Sequence, residues 1–257
     1  MAEYNRDPTW VDVRFDYRGA KVLVTGGSHG IGAGIAAAFL AAGATVTVTG
    51  TRARAADYED DLSAYRYLPL RLNDDASVDA VAAACPDLDI LVNNAGGTNY
   101  RPGVDPYDPA HFVDTVRINL TGVYRLTKGC LPALLASRWK GGASVTMVNS
   151  ESAFLANETV PGYGAAKGGL WQLTKGLAVA WGKHNIRVNS VAPGLAESHA
   201  TEQMSDEAKA PFIARTPLGR IAWPRDVAGA VLFLSSSAAS FITGQLLPIE
   251  GGHSVIQ

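Results

Sequence analysis

Two cysteines in 257 residues, Cys85 and Cys130, exclude a disulfide framework, and neither lies in a CxxC or Cys/His spacing that would hold a metal. A reduced, cytoplasmic location without a metal site is the expectation that follows. Charge is scarce too. Only 18% of the residues are Asp, Glu, Lys or Arg, which excludes disorder driven by charge and leaves surface for other subunits to cover. The 22 bases and 24 acids give a formal net charge of −2 with no block of one sign, so nucleic acid is not an expected partner and a small molecule is. The first residues contain no basic segment followed by an apolar one, and no secretory signal is expected. Residues 22–51 contain no Lys, Arg, Asp or Glu, yet they hold seven glycines, and Thr45, Val46, Thr47, Val48 and Thr49 alternate as a strand does. No membrane span is expected there.

Seven strand-like runs, at 21–25, 45–49, 67–72, 89–93, 144–149, 187–192 and 245–249, alternate with segments of helical spacing such as Ile31, Ile35 and Phe39, stopped by Gly43. Val227, Val231 and Leu234 repeat that spacing near the C-terminus. Apolar strands alternating with helices predict right-handed crossovers and one parallel sheet covered on both faces, with ligands bound at its carboxyl edge. No linker splits the chain, so residues 1–15 are expected to form an arm and 16–257 a single α/β domain. The least regular stretch, about 195–223, is punctuated by Pro211 and Pro217 and has the length of a substrate lid, with a short helix near 201–215.

After the first strand stand Thr25, Gly26, Gly27, Ser28, His29, Gly30, Ile31 and Gly32, followed by an amphipathic helix. Glycines between a strand and a helix let a pyrophosphate approach the helix N-terminus, where unpaired N–H groups and the macrodipole attract anions. Dinucleotide folds that prefer NAD place an acid at the end of the second strand for the ribose hydroxyls. Here that place reads Gly50, Thr51, Arg52. Arg52, with Arg54, His29 and Ser28, is suited to a 2′-phosphate, which favours NADP(H) and leaves NAD(H) open; the other reading of Arg52 is a solvated surface charge.

Tyr163 and Lys167 are four residues apart in a segment of helical periodicity and so share one helix face. A phenol ionises near pH 10, and bringing it to neutrality takes roughly 4 kcal/mol of differential stabilisation, which Lys167 and an oxidised nicotinamide are expected to supply jointly. Ser150 ends the fifth strand at the carboxyl edge, where a hydroxyl can bind a carbonyl as its oxygen becomes anionic. Asn119 falls within a helical run of Val116, Ile118, Leu120 and Val123, and its alternative reading is a local helix irregularity.

Together these residues resemble the short-chain dehydrogenase/reductase family over nearly the whole chain. Residues 25–32 match its TGxxxGxG, Asn93, Asn94, Ala95 and Gly96 its NNAG, Tyr163 to Lys167 its YxxxK, and Ser150 stands thirteen residues before Tyr163. The resemblance implies a Rossmann-type doubly wound domain and hydride transfer between a nicotinamide and a carbonyl or secondary alcohol. Tyr163 is then the general acid or base, Ser150 orients the carbonyl, Lys167 lowers the phenol pKa and holds the nicotinamide ribose, and Asn119 holds a water in a proton relay. By the same implication Gly26, Ser28, His29, Gly30, Ile31 and Gly32 cradle the pyrophosphate, and Thr51 and Arg52 meet the ribose 2′ substituent. Asn73 and Asp74 contact adenine, Asn94, Ala95 and Gly96 the adenosine side, and Pro193, Gly194, Ala196 and Ser198 the carboxamide.

Two branches of the family fit equally, 3-oxoacyl reductases and sugar or polyol dehydrogenases, and a cofactor-binding regulatory protein without turnover is the rival from another class. Glu151, Asn99, Arg101 and His199 are candidate polar contacts at the pocket mouth. The resemblance also implies a homotetramer, sealed by helices near 121–137 and 161–183 through Leu126, Leu131, Leu134, Leu135, Leu170, Leu173, Leu177 and Trp181. The alternative is that these side chains meet their own sheet.

Overall fold

The computed structural model describes residues 10, 12–99, 103–202 and 204–255, with His199 and Ala200 described by backbone only. In chain order the elements are β1 (Lys21–Val24), α1 (Gly30–Ala41), β2 (Thr45–Gly50), β3 (Arg66–Pro69), α2 (Asp75–Ala83), β4 (Ile90–Asn93), α3 (Pro109–Val116), α4 (Gly122–Gly129), α5 (Leu131–Ala136), β5 (Ala143–Val148), α6 (Pro161–Trp181), β6 (Ile186–Pro193), α7 (His199–Glu202), α8 (Asp206–Ala214), α9 (Pro224–Ser235) and β7 (Leu246–Ile249). The strands form one parallel sheet in the order β3-β2-β1-β4-β5-β6-β7, the doubly wound arrangement expected from the alternation.

Period-two alternation divides the core between the two faces of the sheet. Leu23, Leu91, Val145 and Met147 face a cluster completed by Leu126, Leu134, Leu170, Leu177 and Trp181, while Val22, Val24, Ile90 and Val92 face Ile35, Phe39, Val227 and Val231. α6 buries Ala166, Leu170, Thr174, Leu177 and Trp181, a stripe at spacings of three and four that clamps the helix to the sheet. Its N-terminal turns thereby stand at the carboxyl edge.

Three expectations differ from the fold. β3 ends at Pro69, not at residue 72, because Leu70 and Leu72 leave the sheet to join the core. The helix expected over 121–137 is two helices that meet at Cys130, where Pro132 in the first turn of α5 has no N–H with which to continue α4. Of the eight side chains expected at a subunit interface, Leu126, Leu134, Leu170, Leu177 and Trp181 are buried in this chain's own core, Leu131 and Leu173 pack on its margin, and only Leu135 is exposed. Apolar periodicity does not distinguish a partner's surface from the parent sheet. At the N-terminus, Trp10 and Phe15 form an edge-on pair against the cluster beneath α9, so this part of the expected arm is packed; residues 1–9 and 11 lie outside the described residues.

Candidate active site

Parallel strands bring every loop that carries a predicted site residue to one edge of the sheet. Ser150 follows β5, and its hydroxyl accepts from the Ser152 N–H at 3.2 Å, fixing a short helical turn over Glu151–Ala153. Tyr163 and Lys167 lie on the first turns of α6, as their spacing predicts, with the Lys167 Nζ 5.4 Å from the centre of the Tyr163 ring. Lys167 is buried and donates to the Val148 carbonyl at 2.8 Å. Burial lowers its pKa to about 8, which still leaves it mostly protonated at neutral pH.

The expectation for the phenol joins Lys167 with an oxidised nicotinamide; the chain's own groups act in the other direction. Burial raises the Tyr163 pKa, a hydrogen bond from Ser150 partly offsets that, and the Glu151 charge adds to the rise. Desolvation is the largest influence on the phenol, and the Lys167 ammonium lies beside the ring and donates to Val148. The result is a phenol that holds its proton, the state required of an acid.

Asn119 sits in a π turn, Arg117–Thr121, which is the local helix irregularity given as its alternative reading. Its buried amide donates to Gly97 and Thr115 carbonyls at 2.8 and 2.9 Å and accepts from the Gly97 N–H at 2.9 Å. That anchors the loop after β4. A side chain on Gly96 would fall 2.6 Å from the Asn119 Oδ1 and 4.0 Å from the Lys167 Nζ, so the space between those groups stays open because residue 96 is glycine. Asn149 was not singled out from the sequence. It is buried, donates to the Lys167 carbonyl at 3.2 Å and accepts from the Ser150 N–H at 2.9 Å, tying the Ser150 and Lys167 segments to β5. Its only signal is a polar residue ending an apolar strand.

The glycine-rich turn fits a dinucleotide. Gly26 and Gly30 hold φ of +62° and +55°, conformations that other residues rarely adopt, and α1 begins with neither a side-chain cap nor an acid in its first turn. The turn is held from behind. Asn94 donates to the carbonyls of Thr25 and Gly26 at 3.0 and 3.1 Å, the Thr49 hydroxyl accepts from the Gly26 N–H, and the Thr25 hydroxyl accepts from the Asn94 and Ala95 N–H groups. Those carbonyls are thus drawn back, which leaves the amide end of the helix facing the crevice at the β1/β4 switch point. Ile31 packs into the core and offers the crevice only its backbone. A Cβ on Gly32 would stand 2.1 Å from the Gly26 carbonyl oxygen. Gly32→Ala is therefore expected to cost about 3 kcal/mol of stability through forced backbone movement, and to weaken nucleotide binding at least tenfold, checked by thermal unfolding and fluorescence titration.

At the far end of the crevice, Arg52 lies over the Tyr58 ring at 4.9 Å and donates to the Asp57 carbonyl, while Arg54 is paired with the Asp57 carboxylate at 2.8 Å. Arg54 is thus committed to its own turn. The Tyr58 hydroxyl accepts from the Arg52 N–H at 3.1 Å; burial opposes its ionisation, but hydrogen bonds with Tyr67, Arg52, Ser28 and Thr51 outweigh this and hold its pKa below the usual value. Ser28, Thr51 and Arg52 are brought together as predicted, and His29 stands edge-on to the same ring. Asp74 caps α2 by accepting from the Ala76 N–H at 3.0 Å, and Asn73 lies 3.5 Å from Asp114.

On the substrate side, Pro193 ends β6, and Gly194, Ala196 and Ser198 follow it; a Cβ on Gly30 would lie 3.3 Å from Ser198, which sets that loop against the glycine turn. The irregular stretch holds α7 and α8, and a bridge between Ala196 and Ala222 joins its ends. With Glu151, Ile249 and His253 it encloses a cavity of about 150 Å³, lined by Leu195, Phe212 and Arg220 among others. Asn99 bonds to Asp114 and Thr115 of the α3 region; Arg101 and the His199 side chain lie outside the described residues. No cluster of three metal-ligating side chains occurs among the described residues.

The family model described as enoyl-(acyl carrier protein) reductase matches residues 26–254. The 3-oxoacyl-[acyl-carrier-protein] reductase FabG of Salmonella typhimurium is 37% identical over 246 residues, covering 93% of this chain and 99% of that protein. The chain belongs to the short-chain dehydrogenase/reductase family. Gluconate 5-dehydrogenase of Gluconobacter oxydans is 33% identical over 94% of this chain and 97% of its own length. Two solved structures superpose closely: the Pseudomonas aeruginosa RhlG/NADP active-site complex (TM-score 0.83, 31% identity, 93% of this chain and 98% of that one) and a gluconate 5-dehydrogenase from Burkholderia cenocepacia J2315 in complex with NADP and tartrate (TM-score 0.81, 28% identity, 95% and 98%). As a short-chain dehydrogenase/reductase, the protein is an NAD(P)-dependent oxidoreductase acting on carbonyl or alcohol groups.

Proposed function

We propose that the protein interconverts a ketone and a secondary alcohol with NADP(H), Tyr163 carrying the proton. The observation behind this reading is one phenol that receives a hydrogen bond from Ser150 and has the Lys167 ammonium against its ring, at the carboxyl edge of the sheet. A bound nicotinamide donates or accepts the hydride. In reduction Tyr163 gives its proton to the carbonyl oxygen, which Ser150 holds, and Lys167 stabilises the phenolate so formed. Because the Asn119 amide is engaged with Gly97 and Thr115, its main-chain carbonyl is the group left to it for a proton relay to solvent. Gly26, Ser28, His29, Gly30, Ile31 and Gly32 hold the pyrophosphate, Asn94, Ala95 and Gly96 line the adenosine side, Asn73 and Asp74 meet adenine, and Pro193, Gly194, Ala196 and Ser198 meet the carboxamide. The stretch over 195–223 is the lid.

The donors gathered on the Tyr58 hydroxyl support the preference for NADP(H), since Ser28, Thr51 and Arg52 form a cluster suited to a 2′-phosphate. Arg52→Ala is expected to weaken NADPH binding by about ten- to a hundredfold, the worth of one charge-assisted hydrogen bond, and to leave NADH unchanged. Fluorescence titration of both nucleotides tests this; equal losses would remove the phosphate role.

A homotetramer in the cytoplasm completes the proposal. The exposed apolar residues Phe112, Val113 and Tyr124 on α3 and α4, Val179 on α6 and Phe241 beside β7 supply faces for it. No helix among the described residues is long and apolar enough to cross a membrane. Light scattering on the purified chain measures the assembly, and a monomer would contradict it.

A further inference from the structure

The cavity lined by Glu151 contains a carboxylate–histidine pair that the reaction itself does not need. Glu151 and His253 are 102 residues apart in sequence, one opening the turn after β5 and the other in the turn after β7, and the Glu151 Oε2 lies 3.0 Å from the His253 Nδ1. A carboxylate only accepts, so the proton of this bond is on Nδ1. Both side chains are largely enclosed, at 15% and 12% exposure. The His253 Nε2 is sealed from solvent and has no partner among the described residues. A buried polar atom left unpaired costs about 1–3 kcal/mol. The second oxygen of Glu151 has no hydrogen-bond partner among the described residues either, and the residue lines the cavity. Glu151 follows Ser150 directly, and a Cβ on Gly194 would lie 3.0 Å from its Oε2, so the carboxylate stands between the Ser150 turn and the loop after β6.

The remaining charges restrict what the cavity accepts. Arg220 is held by Asp226 in a bidentate pair at 2.6 and 3.2 Å, and Glu250 accepts from the Ser254 N–H and hydroxyl. Glu151, Glu250 and Asp226 therefore face one arginine and one histidine, a balance unfavourable to an anionic substrate. At about 150 Å³ the cavity is small, the size of an engineered one known to take benzene, but it opens to solvent on one side, so a short chain can extend beyond it. Its apolar wall, Leu195, Phe212, Leu218 and Ile249, suits a short carbon backbone.

We propose that Glu151, held in place by His253, is a specificity residue that accepts a hydrogen bond from a substrate hydroxyl near the reacting carbon, so that the substrate is a small, neutral hydroxyketone and its polyol. This rests on the reaction proposed above and names its substrate class. Glu151 touches the substrate; His253 is a positioning residue acting through it.

The test compares initial rates with erythrulose, with 2-butanone as its counterpart without hydroxyls, with 5-ketogluconate as an acid and with an acetoacetyl thioester, all at saturating NADPH. The expected result is kcat/KM at least tenfold higher for erythrulose than for any of the other three. Glu151→Leu and His253→Phe should each bring the erythrulose to 2-butanone ratio close to one, and His253→Asn, which keeps a donor for Glu151, should restore part of the preference. An unchanged ratio in Glu151→Leu, or a wild-type preference for 5-ketogluconate or the thioester, overturns the assignment but leaves the reaction standing. Absence of turnover on all four compounds overturns both.

Discussion

Tyr163→Phe is expected to lose about a thousandfold in kcat while its Kd for NADPH stays within about twofold, because the change deletes one acid–base oxygen and little else. The ring stays on α6, its contact with Lys167 survives, and the turn that holds the pyrophosphate is built from residues 25–32 and 94–96, none of which bonds to the phenol. Steady-state rates with NADPH and a ketone, together with a nucleotide titration, separate the two effects. A variant that bound NADPH normally but kept a tenth of the wild-type rate would show that the proton travels by another group.

Lys167 yields the second large effect, on stability as well as rate. Its ammonium is buried and has a pKa of about 8 in the folded chain, against an ordinary value of 10.5. The unfolded chain thus binds this proton more tightly, so the buried charge weakens the fold in full below pH 8, and the penalty fades as pH rises towards 10.5. Between pH 7 and pH 10 this group should add about 2–3 kcal/mol to the unfolding free energy of wild type relative to Lys167→Met. Urea unfolding of the nucleotide-free proteins at both pH values measures it. A wild type that gains nothing over the variant would mean that the ammonium is solvated. Lys167→Met should also lose at least a hundredfold in turnover, since the phenolate loses its cation.

The sheet was legible because strands covered on both faces read as apolar runs, and the loops after them carry the chemistry at fixed places. Tyr163 and Lys167 share the first turns of one helix, as their spacing predicts, and Ser150 follows the fifth strand, as the strand pattern predicts. Boundaries failed where apolar residues served a different neighbour: Leu70 and Leu72 read as strand but pack beneath a helix, and Leu126 and Leu134 read as interface but meet their own sheet. The direction of the Tyr163 shift was out of reach, since desolvation depends on what closes over the ring and sequence spacing gives only the nearest charge. Asn149 was missed, and Glu151 was named without its partner His253, for related reasons. The first is a single polar residue at a strand end, and the Glu151–His253 pair joins loops that only the sheet order brings together.

The most direct test is a single turnover in the oxidation direction, with saturating NADP+ and alcohol, followed by nicotinamide absorbance across pH. Wild type should show a rate that rises tenfold per pH unit through one ionisation to a plateau, and Tyr163→Phe a rate about a thousandfold lower without that rise. The same rising profile in Tyr163→Phe would contradict the account, because the ionising base would then be some other group.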